Sequence, residues 1–149
     1  MGKKVERRAP GGIMVGGLNH VTLSTRDLDR SFVFYRDVLG FRPLARWGRG
    51  AYLLAGEETW VCLTLDARRV EGMPAEYTHI AFFVAVEGFA AAASRIRASG
   101  AIEWQANTSE GDSFYFLDPD NHKLELHVVD WRSRLEACRK QPYDDMVFF

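Results

Sequence analysis

Polar and apolar residues take turns between Leu18 and Thr25. In LNHVTLST, Asn19, Val21 and Leu23 fall on one side and Leu18, His20 and Thr22 on the other, the period-two pattern of a strand. Asp27 or Asp29 then offers a helix cap, followed by Leu28, Phe32, Tyr35 and Leu39 at helical spacing and by Gly40 as a stop. Short strands are predicted at 42–47, 50–55 and 59–65, set apart by Gly48, Gly50 and Gly56. The order is βαβββ. After a polar loop at 66–76 it returns: a strand in YTHIAFFV, a helix from about Gly88 to Ser99 with Phe89, Ala93 and Ile96 inward, then Gly100 and strands near 101–106, 113–117 and 122–129. A helix near 131–140 and the tail QPYDDMVFF follow.

The return is an internal repeat. His20 matches His79, Gly40 matches Gly100, Tyr52 matches Tyr115 and Cys62 matches Glu125. The last two pairs are spaced about three residues further apart than the first two, which assigns an insertion in the second copy to the loop NTSEGDS, 107–113. An α+β fold of two tandem βαβββ modules is expected: module 1 about 17–66, module 2 about 77–130, and a C-terminal helix and tail at 131–149. Residues 1–13, rich in Gly, Lys and Arg without apolar periodicity, are expected to be a disordered extension of a single domain at 14–149.

Composition narrows the class. With 149 residues, 47% hydrophobic and 26% charged, the chain suits one globular domain with its own core. A net charge of −1 gives no reason to expect nucleic acid, and no run approaches the roughly 20 apolar residues of a membrane span. Cys62 and Cys138 lie far apart without CxxC spacing, so a reducing compartment, the cytoplasm, is expected and a disulfide framework is not.

Two histidines at matching positions of two repeats say more than two scattered ones. Each falls in the first strand of its module, so a pseudo-twofold arrangement of the copies would bring both to one place. In KLELHVV, Glu125 shares a face with His127, opposite Leu124 and Leu126. A carboxylate buried on a sheet is costly unless it is paired or binds a cation. His20, His79 and Glu125 are therefore a candidate site for a divalent transition metal, with positions left open for substrate. His127 is a candidate partner of Glu125, and His122, in the turn DPDNH, is expected in solvent. Ser113 and Tyr115 alternate inward together, with Phe114 and Phe116 outward. Cys62 stands where module 2 has its carboxylate.

GLNHVTL, YTHIAF, SEGDSFYFLDPDNHKLELHV and CRKQPYDDMVFF together resemble the fosfomycin-resistance thiol transferases, in particular the manganese- and potassium-dependent glutathione branch of the vicinal oxygen chelate superfamily. The resemblance covers residues 14–149, so the first thirteen look like an addition. It implies the vicinal oxygen chelate fold, with paired modules of two chains completing each site in a homodimer. It also implies Mn2+, or another divalent metal, on His20, His79 and Glu125, and Thr22 as proton donor to the opening epoxide oxygen. K+ would be held by the loop through Asn107, Ser109, Gly111 and Ser113. The phosphonate would be bound by Ser113, Tyr115, Arg134 and the position of Gln105, between the aromatic walls Trp60 and Tyr77. Trp47, Arg49, Thr64 and Thr108 would line the thiol channel. The implied reaction is glutathione addition to the oxirane of fosfomycin, with small-molecule partners and neither nucleic acid nor membrane.

The chain departs from that family where the thiol and phosphonate approach. Gln105 replaces a lysine, Thr108 stands where arginine is frequent, Arg49 where a neutral polar residue is usual, and Thr64 where serine is usual. Glutamine hydrogen-bonds but brings no charge. The same scaffold could instead host epoxide hydrolysis or a glyoxalase- or dioxygenase-like reaction, or a drug-binding protein with weak turnover.

Overall fold

The computed structural model describes residues 15–108 and 110–149; the expected extension at 1–13 and the loop residue Ser109 lie outside the described residues. Module 1 comprises β1 (His20–Thr25), α1 (Leu28–Val33), β2 (Arg42–Trp47), β3 (Gly50–Ala55) and β4 (Thr59–Leu65). Module 2 repeats the plan with β5 (Ile80–Phe83), α2 (Val86–Ala98), β6 (Glu103–Gln105), β7 (Ser113–Leu117) and β8 (Lys123–His127), and α3 (Trp131–Lys140) follows. Each module forms its own four-stranded sheet, ordered β1-β4-β3-β2 and β5-β8-β7-β6. The first strand of each lies parallel to the last, and the other pairings are antiparallel.

Asp27 caps α1 by accepting from the Arg30 amide. The helix then widens into a π-helical turn over Phe34–Val38, closed by the Leu39 amide on the Phe34 carbonyl. This departs from the simple helix read from the sequence, and the wider turn lets the consecutive Phe34 and Tyr35 both bury. Gly40, at φ 74°, ends it in a conformation that favours glycine. The first strands of both modules are shorter than the patterns in LNHVTLST and YTHIAFFV, because pairing with β4 begins at His20 and pairing with β8 at Ile80.

Leu23, Leu53, Val61 and Leu63 from one sheet, Phe82, Phe114, Phe116 and Leu124 from the other, and Phe32, Phe34, Ala93 and Ile96 from the helical segments form one apolar core. Phe34 meets Phe116 and Phe41 meets Phe82 across the module boundary. Phe114 and Phe116, expected outward, are therefore core residues: the side of β7 away from Ser113 and Tyr115 is the protein interior.

A buried polar knot also joins the modules. In the β7–β8 turn, Asp118 accepts from the Tyr35 hydroxyl at 2.6 Å and from the amides of Asp120 and His122. Asp120 accepts from Thr25 Oγ1 at 2.5 Å and from the Arg26 amide at 3.0 Å. His122 places Nε2 2.8 Å from the Ser24 carbonyl, so the solvent position expected for it is corrected: the turn folds back onto the end of β1. Burial pushes the Asp118 carboxyl above, and the Tyr35 hydroxyl well above, their ordinary values.

Candidate active site

The core takes one face of each sheet, and alternation delivers the chemistry to the other. In module 2, register sets Ser113 opposite His127 and Tyr115 opposite Glu125. His79 precedes β5, and Arg134 comes from the first turn of α3, whose cap Asp130 accepts from the Ser133 amide. A cavity of about 380 Å3 is lined by Tyr77, His79, Tyr115, Glu125, His127 and Arg134, with Tyr143 of the tail. Glu125 is only 6% exposed. It is ringed by partners: His79 Nε2 at 3.0 Å from Oε2, Ser113 Oγ at 2.7 Å and His127 Nδ1 at 3.4 Å from Oε1.

The His79 contacts determine what the site offers. Its Nδ1 lies 2.9 Å from the Tyr77 carbonyl, which only accepts, so Nδ1 carries hydrogen. In the neutral ring Nε2 is then a lone pair, and it faces a carboxylate oxygen. Two lone pairs at 3.0 Å need a proton between them, on the ring or on the carboxyl, or a metal beside them. A histidine whose second nitrogen donates to a backbone carbonyl is the usual arrangement around a bound metal.

In module 1 the open face carries His20 and Thr22 on β1, Trp60, Cys62 and Thr64 on β4, and Tyr52 on β3. His20 Nδ1 is 2.7 Å from Asn19 Oδ1, which leaves Nε2 as the outward nitrogen, as at His79. Trp47, Tyr52, Trp60 and His20 form an aromatic ladder with centroid spacings of 4.8, 5.2 and 4.7 Å. Trp60 Nε1 is buried without a hydrogen-bond partner among the described residues. Cys62 is paired with Thr22, yet burial pushes its thiol up, which suits a packed residue better than a nucleophile.

The expected residues thus fall into two groups. His79, Glu125, Tyr77, Ser113, Tyr115, Arg134 and Gln105 belong to module 2, where Gln105 donates to the Tyr77 hydroxyl. Its loop holds Asn107, Thr108 and Gly111, with Asn107 Nδ2 donating to the Gly111 carbonyl at 2.9 Å. His20, Thr22, Trp60, Trp47, Arg49 and Thr64 belong to module 1, where Arg49 donates to the Leu65 carbonyl. Among the described residues of one chain, no three His, Cys, Asp or Glu side chains are grouped to hold a metal. His20 lies on β1 of one sheet of the chain and His79 just before β5 of the other. Sequence reasoning missed Trp104, which packs on His79 and Tyr115, and Tyr143; neither position had a repeat partner or a charge to draw notice. No helix of the described residues is long and apolar enough to cross a membrane.

The profile of the Glyoxalase/Bleomycin resistance protein/Dioxygenase superfamily matches residues 17–126. The glutathione transferase FosA of Serratia marcescens is 50% identical over 137 residues, covering 91% of this chain and 96% of that protein. The crystal structure of the fosfomycin resistance protein FosX from Mesorhizobium loti superposes with a TM-score of 0.70 at 32% identity, over 82% of this chain and 99% of that one. A mutant FosX from Listeria monocytogenes, complexed with Mn(II) and 1S,2S-dihydroxypropylphosphonic acid, has a TM-score of 0.70 at 30% identity, over 83% of this chain and 98% of that one.

Proposed function

The chain belongs to the Glyoxalase/Bleomycin resistance protein/Dioxygenase superfamily and, within it, to the fosfomycin-resistance transferases, and from that premise we propose that it adds glutathione to the oxirane of fosfomycin. The observation that carries the reading is the His79–Glu125 pair, an imidazole nitrogen and a buried carboxyl 3.0 Å apart on the wall of a cavity lined by a guanidinium. This donor set fits a divalent metal such as Mn2+, with His20 as third ligand. A bound metal would supply Lewis acidity toward the oxirane and phosphonate oxygens.

His20 lies on the other sheet, so the third ligand would come from a second copy, the open face of module 1 covering the module 2 cavity of its partner in a homodimer. The exposed aromatic ladder and the unpaired Trp60 indole support such a cover. Arg134 and Tyr115 would hold the phosphonate, with Tyr77 and Trp60 as walls. As the glutathione sulfur forms its bond to carbon, the carbon–oxygen bond breaks. The Thr22 hydroxyl gives the departing oxygen its proton, the thiol's own proton goes to solvent, and Thr22 regains one from solvent. Trp47, Arg49, Thr64 and Thr108 would line the thiol's approach.

The loop through Asn107, Ser109, Gly111 and Ser113 is the proposed K+ site. Its compact turn depends on Gly111, at φ 75°, where a Cβ would collide with Val129. The test is product analysis with Mn2+, K+, fosfomycin and glutathione, beside a water-only control. A glutathione adduct is expected. The diol bound in the Listeria FosX structure gives the rival reading, and diol formed without thiol would overturn ours, as would unchanged drug.

A further inference from the structure

We propose, resting on that reading of the site, that His127 is a positioning residue which sets the anion-binding edge of the cavity by tying Arg134 to Ser113 and Glu125. Its Nε2 lies 3.3 Å from Arg134 Nη2, and its Nδ1 lies 2.5 Å from Ser113 Oγ, which in turn is 2.7 Å from Glu125 Oε1. A guanidinium only donates and a carboxylate only accepts, so the two ends fix the direction of the whole chain. Arg134 donates to Nε2, the neutral ring carries its hydrogen on Nδ1 and donates to Ser113, and Ser113 donates to Glu125. Running the middle bond the other way would turn a ring N–H against the guanidinium and leave Glu125 Oε1 without the serine hydrogen.

Two consequences follow for a ligand. The guanidinium, also held by the Glu110 carbonyl at 3.4 Å, enters the cavity with one corner already fixed, so less side-chain freedom is lost when an anion binds. Ser113, its hydrogen given to Glu125 and a lone pair to His127, has no hydrogen left for an anion, and anion recognition falls to Arg134 and Tyr115. His127 touches no ligand in this scheme; it acts through its neighbours.

Two amide replacements separate its arms. His127→Gln can place an acceptor near the Nε2 position and keep Arg134. His127→Asn can reach only Ser113, and His127→Phe keeps the ring shape and loses both. If the guanidinium loses its anchor, the KM for fosfomycin rises by about tenfold in the Phe and Asn variants, with the KM for glutathione unchanged, and His127→Gln recovers most of the loss. Two readouts do not depend on turnover. Calorimetric titration with inorganic phosphate should show the same ranking of the variants. Nitrogen-15 NMR of histidine-labelled parent protein should find the proton of His127 on Nδ1. Gln and Phe variants that weaken phosphate equally, a Phe variant that binds phosphate like the parent, or a parent His127 protonated on Nε2 would each overturn the proposal. Failure of the parent to consume fosfomycin would overturn the reaction instead, and the phosphate and NMR measurements would still decide the role of His127.

Discussion

Module 1 and module 2 are built to the same plan and equipped differently. The open face of module 2 is saturated with polar contacts: His79, Ser113 and His127 surround Glu125, and Arg134 closes the chain. The matching face of module 1 has a thiol at Cys62 where module 2 has that carboxylate, an aromatic ladder in place of the hydrogen-bonded chain, and an indole N–H without a partner among the described residues. The turns before the last strands differ as well. Asp118–His122 is buried in the knot with Tyr35 and Thr25, whereas Gly56, Glu57 and Glu58 are exposed. In the proposed dimer one copy serves as a receptacle and the other as a cover.

The largest effect expected from that contrast is in a mixing experiment. His20→Ala and Glu125→Ala should each abolish metal-dependent turnover. Refolded together in equal amounts, the two should recover about a quarter of the parental rate, because half of the dimers are mixed and each mixed dimer has one site with both residues intact. A site assembled within one chain would stay inactive on mixing, so no recovery would refute the receptacle-and-cover arrangement.

The turns give the next contrast. Asp118→Ala leaves the Tyr35 hydroxyl and two amides without their acceptor and should cost about 3 kcal/mol in urea unfolding, while Glu57→Ala should stay within about 0.5 kcal/mol. Equal costs would mean that the knot contributes no more than an exposed turn.

The sign of the pH effect at Asp118 follows from burial. Its carboxyl is raised in the folded state, so the fold favours the protonated form. That contribution is complete below the ordinary carboxylate pKa of about 4 and is lost as pH rises through the folded value. The stability of the parent relative to Asp118→Asn should therefore decline from about pH 4 upward. A flat or rising difference would contradict it.

The smallest expected effect sharpens the receptacle alone. Gln105 donates to Tyr77 at the cavity edge without charge. Gln105→Lys should lower the KM for fosfomycin by about fivefold, roughly 1 kcal/mol, with kcat little changed. An unchanged KM would remove Gln105 from the anion-binding edge.

Periodicity made most of the fold legible. The strands at 42–47, 50–55, 59–65 and 113–117 and the helix at 131–140 match the elements observed, since each is bounded by a turn or cap that the sequence displays. The π-helical turn was not legible, because burying Phe34 beside Tyr35 depends on Phe116 of the other module. The same holds for His122, whose partner Ser24 is 98 positions away. The repeat brought His20, His79 and Glu125 to notice as chemistry-bearing positions, and alternation correctly grouped Ser113, Tyr115, Glu125 and His127 on one face. Which sheet faces which is a matter of tertiary and quaternary placement, and no local pattern encodes it.

The knot also constrains how the protein is made. Its bonds join residues 83 to 98 positions apart, so the end of β1 leaves the ribosome long before Asp120 and His122 exist to meet it. Until then Tyr35 lacks the Asp118 acceptor, and Thr25 Oγ1 has only its local partners at Asp27. The first module is therefore made before its lock exists, and the β7–β8 turn can close it only once the second module has been made as far as that turn.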